Sequence, residues 1–339
     1  MDFYDCDPTE QGRRLETLAR SALDRWGIDA NADVSLIKHR ENAVFSVSSG
    51  GARYALRVHR AGYHTDNRLR SELQWIAAIN SPELRTPQVV PATDGSLFAH
   101  VSAPGVPESR QVDVLEWFDG TPIGSVEEGF ADAATAIHVC TTVGRLMAAS
   151  HDHASEWKPP AGFERHAWDI DGLLGSEPFW GRYLDNERLS DDQRLLLLQA
   201  TEKARAELTE YGTSPDRYGL IHADFAPENL LQHGEDVCLI DFDDAGWGWH
   251  VFDLVTPLFF LQDEPDYELW FNALVNGYRS RRALDDTHLD HLPVFMLARG
   301  FTYLGWMHTR SETETAQELG AAVVDMVCGL ARGYLDAQP

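Results

Sequence analysis

The chain has 339 residues, of which 43% are hydrophobic and 24% charged, and this balance is typical of a folded protein large enough for two domains. Its formal net charge of −26 disfavours a large contact with a phosphate backbone, so nucleic acid and anionic membranes are not expected partners. The four cysteines are far apart and form neither a C-x-x-C metal pair nor a disulfide framework. An acidic N-terminus and the lack of an eighteen-residue apolar run argue against secretion and membrane spanning, so we expect a cytoplasmic protein.

One segment departs from the overall acidity. Between Val34 and Leu73 seven basic residues stand against three acidic ones, so this part of the chain is suited to a polyanionic ligand. The rest is strongly acidic and includes a group of carboxylates at Asp243, Asp244, Asp263, Glu264 and Asp266. Two explanations stay open, an attraction for a cationic ligand and a generally acidic surface suited to the host cell.

The N-terminal third predicts two helices and a small sheet. Apolar residues at helical spacing predict a leading helix over residues 8–26, with Gly27 placed to end it. A second helix is predicted over 66–79, with Asp66 as its N-cap. Runs rich in Val, Phe and Tyr, the second and third joined by a Gly-Gly hairpin, predict strands over residues 33–39, 43–48, 53–59, 96–102 and 111–118.

After Gly120 long helical patterns dominate. The predicted helices cover residues 131–150, 191–211, 267–281, 289–309 and 315–335. Between residues 218 and 241 short apolar runs and turns predict a loop followed by a β-hairpin. We therefore predict an α+β fold with a sheet-rich lobe of residues 1–118, a helical lobe of residues 119–339, and a ligand-binding cleft at the join.

The most informative motif is H-A-D-F-A-P-E-N over residues 222–229, followed by an apolar run and D-F-D from Asp241. Asp224 and Asn229 are five positions apart in one tight loop, so both side chains can face a common cleft. A chain reversal near residues 233–236 brings Asp241 back beside Asn229, where two oxygen ligands can share one metal ion. The alternative is that His222 and Asp224 cap a loop and that Asp241 forms a turn.

This motif resembles the catalytic loop of the protein-kinase-like fold, H-x-D-x-x-x-x-N, after which a metal-binding Asp follows a short hairpin. The resemblance implies that Asp224 orients an acceptor hydroxyl and accepts its proton. It also implies that Asn229 and Asp241 hold Mg²⁺ against the phosphates of ATP. His222 is expected to shape the loop rather than to act as an acid or base.

The N-terminal lobe carries matching features. The sequence Y-A-L-R at residues 54–57 resembles the third strand of the kinase-like lobe. This implies that Arg57 contacts the ATP phosphates where a Lys is usual, and that Glu72 is its ion-pair partner. An ordinary surface ion pair is the alternative. Adenine is expected to lie against the linker backbone from Glu116 to Phe118.

The Gly-rich loop of protein kinases is missing, and the chain instead resembles the aminoglycoside phosphotransferase and homoserine-kinase-like branch. In that branch a polar turn, here Glu41-Asn42, closes over the phosphates. Further similar segments lie at residues 144–151, 246–254 and 299–306. The resemblance also implies that Asp253 hydrogen-bonds the backbone of the catalytic loop.

Two details favour a small acceptor. Ala226 takes the place of the Lys of Ser/Thr kinases, and only twelve positions separate Asp241 from Asp253, too few for a peptide-docking activation segment. The resemblance thus implies ATP- and Mg²⁺-dependent transfer of the γ-phosphoryl group to a hydroxyl of a small molecule, an amino alcohol or an aminoglycoside-like cation. A Ser/Thr protein kinase of the homoserine-kinase-like stress-response type and a nucleotide-binding pseudokinase are the alternatives. The sequence leaves the acceptor and the oligomeric state open.

Two other patterns are interpreted as structural. The His151-Asp152-His153 run at a predicted helix end has no third ligand at a suitable spacing, so a solvated or capping role is predicted rather than a metal site. Several aromatic residues are predicted to be core rather than a cage for a cationic substrate: Trp247, Trp249, Trp270, Tyr303 and Trp306.

Overall fold

The computed structural model describes residues 2–39, 42–124, 130 and 132–337, and its contacts divide the chain into two compact units. The first unit comprises Met1–Thr121, Lys158–Glu164 and Leu231–Ile240. The second comprises Pro122–Trp157, Arg165–Leu230 and Asp241–Pro339. The lobe bounds of 1–118 and 119–339 stay a prediction.

The first unit begins with helix α1 (Pro8–Ala22), which continues as a 3₁₀ turn over Leu23–Trp26. The carboxylate of Asp7 caps the helix by accepting the N–H groups of Thr9 and Glu10. Gly27 ends the 3₁₀ turn at φ 64°, a left-handed conformation that glycine adopts without steric cost. The predicted helix and its stop are thereby confirmed.

A mainly antiparallel sheet forms the rest of this core. Its strands are β1 (Asp33–His39), β2 (Ala43–Ser49), β3 (Ala52–Val58), β4 (Val89–Val90), β5 (Ala99–Val101) and β6 (Arg110–Glu116). The order is β1-β2-β3-β6-β4, and β5 also pairs with β6. One face of the sheet packs on α1 through fully buried apolar side chains that include Phe45, Leu56, Val112 and Leu18. The two-residue strand β4 was not predicted, because it is too short to show alternation.

Helix α2 (Asp66–Ile79) has the predicted bounds, but its predicted cap is wrong. Thr65 is the N-cap, and its hydroxyl accepts the N–H of Arg68. Asp66 is instead the first helical residue, and its carboxylate accepts a hydrogen bond from the side-chain amide of Gln111.

The second unit is mostly helical. Its helices are α3 (Ala133–Glu156), α4 (Ile170–Leu174), α5 (Asp191–Tyr211), α6 (His250–Val255), α7 (Tyr267–Arg279), α8 (Asp286–Leu289), α9 (Leu292–Thr309) and α10 (Glu314–Asp336). The five long predicted helices are present with shifts of a few residues at their ends, except that α3 continues for six residues beyond its predicted end. The core includes many side chains of α5, α9 and α10, among them Leu197, Phe301 and Val327.

Helices α3 and α7 approach each other closely. A Cβ atom on Gly144 would overlap the carbonyl oxygen of Leu274, and one on Gly277 would overlap the carbonyl oxygen of Thr141. The two glycines therefore bring the backbones of α3 and α7 to a separation that an alanine at either position would not allow.

Short strands complete the fold. They are β7 (Thr121–Pro122), β8 (Ala167–Trp168), β9 (Tyr218–Ile221), β10 (Leu230–His233), β11 (Asp236–Leu239) and β12 (Gly246–Trp249). They form two three-stranded sheets with the orders β11-β10-β7 and β8-β12-β9. The predicted loop and hairpin between residues 218 and 241 are confirmed. None of the helices in the described ranges has the length and apolar character needed to cross a bilayer.

Candidate active site

The segment from His222 to Asn229 is held by one buried carboxylate of the second unit. Strand β9 leads into this loop, which closes with a 3₁₀ turn over Pro227–Asn229. Asp253 on α6 accepts the backbone N–H of His222 at 3.1 Å and that of Ala223 at 2.7 Å. Ala223 has φ 63°, which is unfavourable for a residue with a Cβ, and the two bonds to Asp253 offset that cost. The predicted contact of Asp253 with the loop backbone is present.

Asp224 and Asn229 are brought together as the motif spacing predicted. The side-chain Nδ2 of Asn229 donates to Oδ2 of Asp224 at 2.8 Å and to the Asp224 carbonyl at 3.0 Å. The Asp224 side chain is 28% exposed, so the carboxylate is fixed within the loop and still open to a ligand. Because the Asn229 nitrogen is the donor in both bonds, its amide oxygen is the atom suited to bind a cation.

A second partner of Asp224 was not predicted. Arg299 on α9 places Nη2 3.3 Å from Oδ1 of Asp224 and donates from Nη1 to the carbonyl of Ala223 at 2.9 Å. In the sequence, Arg299 was recognised only as part of the family-like segment at residues 299–306. The signal that could have found this contact is a lone arginine in an otherwise apolar helix, since a buried arginine requires a carboxylate or several acceptors.

The imidazole of His222 is fully buried among aromatic rings. Its ring packs edge-on against Phe225 and Phe242, with centroid distances of 5.3 Å and 4.7 Å. This packing suits a residue that shapes the loop, and the role stays a prediction.

Asp241 follows strand β11 and has an exposed side chain. Its φ of 65° turns the chain sharply, and the next residue, Phe242, is fully buried. Arg165, which sequence reasoning missed, donates to the carbonyls of Phe242, Asp243 and Ala245 at 3.1, 2.6 and 2.5 Å. These bonds fix the backbone just after Asp241. The Asn229 amide oxygen and the Asp241 carboxylate are hard oxygen donors, and such a donor set fits Mg²⁺ or Ca²⁺.

In the first unit, Arg57 joins two carboxylates. Its Nη1 donates to Glu72 at 2.9 Å, while Nε and Nη2 donate to the two oxygens of Asp113, both at 2.9 Å. Arg57 is 6% exposed and both carboxylates are fully buried, so the alternative of a surface ion pair is wrong. Asp113 was missed, although a lone aspartate between valines in strand β6, opposite Arg57 on β3, was the available signal.

The charge state of Asp113 follows from these neighbours. Burial alone raises its pKa, but the charge of Arg57 and the hydrogen bond with His59 outweigh burial and hold the pKa below its ordinary value. His59 places Nε2 2.5 Å from Oδ2 of Asp113. Asp113 is therefore an ionised partner that holds the guanidinium of Arg57 through two hydrogen bonds, while Glu72 accepts a third.

The other predicted nucleotide contacts occupy defined positions in the first unit. The side-chain oxygen of Asn42 accepts the N–H of Arg60 at 3.0 Å, and its neighbour Glu41 lies outside the described residues. The N–H of Glu116 donates to the carbonyl of Gln88 at 2.8 Å. Phe118 packs its ring edge-on against His233, with centroids 6.5 Å apart. Because the Glu116 N–H already donates to Gln88, the N–H of Phe118 is the better candidate in this segment for a hydrogen bond to adenine.

The prediction of a solvated or capping role for His151 is wrong. Helix α3 continues to Glu156, and the His151 side chain is fully buried. Its Nδ1 lies 2.8 Å from the hydroxyl of Tyr278, its Nε2 lies 3.0 Å from Asp253, and its ring stacks on His250. Burial lowers the pKa of His151 to about 3 and raises the pKa of Asp253 to about 6.

Two of the five aromatic residues, Trp249 and Trp270, are buried as predicted, and Trp247, Tyr303 and Trp306 are partly buried. Trp249 is fully buried and Trp270 is 8% exposed. The ring of Tyr303 faces the guanidinium of Arg299 at 4.6 Å, and the ring of Trp306 faces Arg310 at 5.3 Å. The protein's own arginines therefore take up the cation-binding faces of two of the predicted aromatic residues.

Comparison with known proteins identifies the family to which this site belongs. Residues 33–286 match the family described as phosphotransferase enzyme family. The chain is 35% identical to a solved microcompartment-associated aminopropanol kinase, with a TM-score of 0.82, and the match covers 94% of this chain and 97% of that one. The chain therefore belongs to the phosphotransferase enzyme family, and the predicted family resemblance is confirmed.

Two more distant relatives match nearly the whole chain, and one of them is a solved structure with the same fold. An amicoumacin kinase of Bacillus subtilis (strain 168) is 22% identical over 337 residues, which is 96% of this chain and 93% of the relative. A solved amicoumacin kinase in complex with AMP-PNP, Ca²⁺ and Ami is 20% identical, with a TM-score of 0.74 and coverage of 95% of this chain and 96% of that one. The predicted α+β, protein-kinase-like fold is confirmed.

Proposed function

We propose that this phosphotransferase moves the γ-phosphoryl group of ATP, bound with Mg²⁺, to the hydroxyl of a small amino alcohol. The observation that carries the proposal is the Asp224 carboxylate, which is 28% exposed and held by Asn229 and Arg299 in an H-x-D-x-x-x-x-N loop. The acceptor class is supported by the 35% identity to the aminopropanol kinase. An acceptor of that kind carries both the nucleophilic hydroxyl and a positive charge.

Asp224 is assigned to the acceptor hydroxyl. Its carboxylate would accept a hydrogen bond from the hydroxyl, align the oxygen with the γ-phosphorus, and receive the proton as the new P–O bond forms and the bond from the γ-phosphorus to ADP breaks. Phosphoryl transfer passes through a loose transition state, so orientation contributes more than base strength. His222 is assigned to the shape of the loop, because its ring is buried between Phe225 and Phe242.

Asn229 and Asp241 are assigned to the metal. The bonds from the Asn229 nitrogen to Asp224 orient its amide oxygen, and the Arg165 bonds fix the chain after Asp241. Mg²⁺ would neutralise charge on the phosphate oxygens when it is bound. The amide and the carboxylate provide oxygen ligands only, which favours Mg²⁺ or Ca²⁺ over softer metals.

In the first unit, Arg57 is assigned to the nucleotide phosphates, with Glu72 as its ion-pair partner. Asp113 adds a second carboxylate, so the guanidinium is oriented before any ligand binds. Asn42 is assigned to the turn over the phosphates. The backbone from Glu116 to Phe118 is assigned to adenine, with Phe118 as the N–H donor.

A cationic acceptor is supported by the acidic residues near and after Asp241. Asp244 is partly buried and accepts the indole N–H of Trp180 at 2.9 Å, so its carboxylate has a fixed position. Asp263, Glu264 and Asp266 are exposed and add negative charge to the surface of the same unit. Their field would concentrate amines near this unit, and salt would screen it over about 10 Å. We expect the enzyme to act in the cytoplasm.

The test is a phosphotransfer assay with the purified full-length protein. ADP formation is measured with Mg-ATP and a panel of 1-amino-2-propanol, ethanolamine, choline, homoserine, aminoglycosides and protein substrates, with 1,2-propanediol as the neutral analogue of aminopropanol. We expect metal-dependent turnover to be greatest with an amino alcohol, and its kcat/KM to fall as salt rises. Equal use of the neutral diol would refute the cationic acceptor. Turnover with proteins alone would favour the protein-kinase alternative, and no turnover with any acceptor would favour the pseudokinase.

A further inference from the structure

We propose that Arg299 is a positioning residue for Asp224, which fixes the carboxylate and the loop carbonyl beside it before the acceptor binds. This inference rests on the proposed function, because it gives Asp224 the acceptor hydroxyl. The guanidinium contacts Oδ1 of Asp224 through Nη2 and the carbonyl of Ala223 through Nη1, at 3.3 Å and 2.9 Å. One planar group thus fixes both the side chain and the backbone of the loop.

The two oxygens of Asp224 have different partners. Oδ2 accepts from Asn229 at 2.8 Å, and Oδ1 faces Arg299. A carboxylate with a donor on each oxygen cannot rotate about its Cβ–Cγ bond without losing one of them. The orientation of the acceptor-binding group is therefore set by α9 and by the loop itself, and such pre-orientation lowers the entropic cost of reaching a reactive geometry.

Arg299 is itself immobilised. Its side chain is fully buried, and its guanidinium lies over the rings of Tyr303, Trp180 and Phe252 at 4.6, 4.9 and 5.5 Å. Nη2 also donates to the hydroxyl of Tyr303 at 3.0 Å. A guanidinium enclosed by three rings has few alternative positions, so it can hold Asp224 in a defined geometry.

The contacts of Arg299 with the loop are made by its two terminal nitrogens. Its Nε is buried and has no acceptor among the described residues. Here the two terminal nitrogens meet the catalytic-loop atoms, and Nε is left unpaired.

The experiment compares substitutions of Arg299 in the full-length enzyme. Arg299→Met keeps the apolar stem and removes the guanidinium, and misplacing a reactive group in this way is expected to lower kcat by roughly 10²-fold. Arg299→Lys keeps the charge but not the fork, so roughly a 10-fold loss is expected. Tyr303→Phe keeps Arg299 and removes one acceptor, so its loss should be smaller. Arg310→Met is the matched control, because Arg310 is also a buried arginine near the end of α9, and it lies over Trp306.

The readouts separate positioning from folding. Each kcat is expressed per Mg-ATP-binding site counted by calorimetry, and the melting temperature is measured for every variant. We expect the Kd for Mg-ATP to stay within about twofold in Arg299→Met, because the nucleotide contacts are assigned to other residues. If Arg299→Met does not fold, Arg299→Lys and Tyr303→Phe provide the same comparison.

A double mutant decides whether Arg299 acts through Asp224. In the Asp224→Asn background, Arg299→Met should cause little further loss of kcat, because residues that act as a unit are not additive. Two outcomes would overturn this inference and leave the proposed function standing. One is an equal loss of kcat from Arg299→Met in the wild-type and Asp224→Asn backgrounds. The other is a wild-type kcat per binding site in Arg299→Met while Asp224→Asn is impaired. Wild-type kcat in Asp224→Asn would overturn the assignment of Asp224 in the proposed function and this inference with it.

Discussion

His151 and Asp253 are 102 residues apart in the chain, yet Nε2 of the histidine lies 3.0 Å from Oδ2 of the aspartate in the buried core of the second unit. The same aspartate accepts the N–H groups of His222 and Ala223. A neutral His151 with its proton on Nε2 donates to Asp253 and accepts from the hydroxyl of Tyr278 on Nδ1. The backbone of the loop from His222 to Asn229 is thus connected to α3 and α7 through one carboxylate.

Asp253→Asn should reduce both stability and turnover. The amide keeps one acceptor oxygen and presents an NH₂ group to a second donor, so at least one buried N–H loses its partner at a cost of about 1–3 kcal/mol. Urea unfolding measures the loss of stability, and kcat per folded enzyme measures the effect on the loop. Asp263→Asn, at an exposed carboxylate, is the control. Unchanged stability in Asp253→Asn would show that the two loop bonds contribute little.

Stability should fall as the pH decreases from 7 to 5. Burial lowers the pKa of His250 well below its ordinary value and that of His151 to about 3, so below about pH 6.5 only the unfolded chain takes up these protons. Their contribution is complete above pH 6.5 and is lost on acidification. Asp253, with its pKa raised by burial to about 6, acts in the opposite sense, because its protonated form favours the fold and that contribution is lost as pH rises through 6.

The two histidines destabilise the fold on acidification and the one aspartate stabilises it, so the net free energy of unfolding should fall as the pH decreases. Urea midpoints at pH 7, 6 and 5 measure it. His250→Gln should make the decrease shallower, whereas His138→Gln, at an exposed position of α3, should leave it unchanged. A midpoint independent of pH over this range would contradict the expected effect of the buried imidazoles.

Arg57→Ala should destabilise the first unit as well as weaken ATP use. It removes the arginine charge from the buried carboxylates of Asp113 and Glu72, and breaking a buried ion pair in this way costs about 3–5 kcal/mol. Arg57→Lys is the more informative variant, since it keeps a charge and loses the two-bond contact with Asp113. We expect Arg57→Lys to raise the KM for ATP several-fold with little change in the acceptor KM. Arg85→Lys, in an exposed ion pair with Asp236, is the control. A change in the acceptor KM alone would contradict the phosphate role.

Asp241→Ala should abolish metal-dependent nucleotide binding. Without this carboxylate the triphosphate would lose one of its two assigned metal anchors on the protein. Calorimetry with ATP in Mg²⁺, in Ca²⁺ and in EDTA measures the effect, and Asp236→Ala in the preceding strand is the control. Wild-type affinity for Mg-ATP in Asp241→Ala would place the metal elsewhere.

Local sequence signals predicted the long elements and the tight loop from His222 to Asn229, because the spacing of Asp224 and Asn229 already restricts them to one turn. Partners distant in the chain were not accessible in the same way. Arg299 and Asp113 were missed because they meet the predicted site residues Asp224 and Arg57 only through the packing of α9 and the pairing of β3 with β6. His151 was predicted to have a solvated or capping role because the end of α3 was predicted too early. The helix continues for six further residues, and His151 is buried in the core. A lone charge in an apolar helix or strand was the usable signal in both missed cases.

The close approach of α3 and α7 at Gly144 and Gly277 also bears on how this enzyme tolerates sequence drift. His151 lies two helical turns from Gly144, and Tyr278 directly follows Gly277, so the same helix separation sets the distance of 2.8 Å between their side chains. One added methyl group at either glycine would push the helices apart and shift the His151 imidazole that is hydrogen-bonded to Asp253. Substitutions of Gly144 or Gly277 would then be selected against because they lower turnover, although neither glycine is assigned a contact with a substrate.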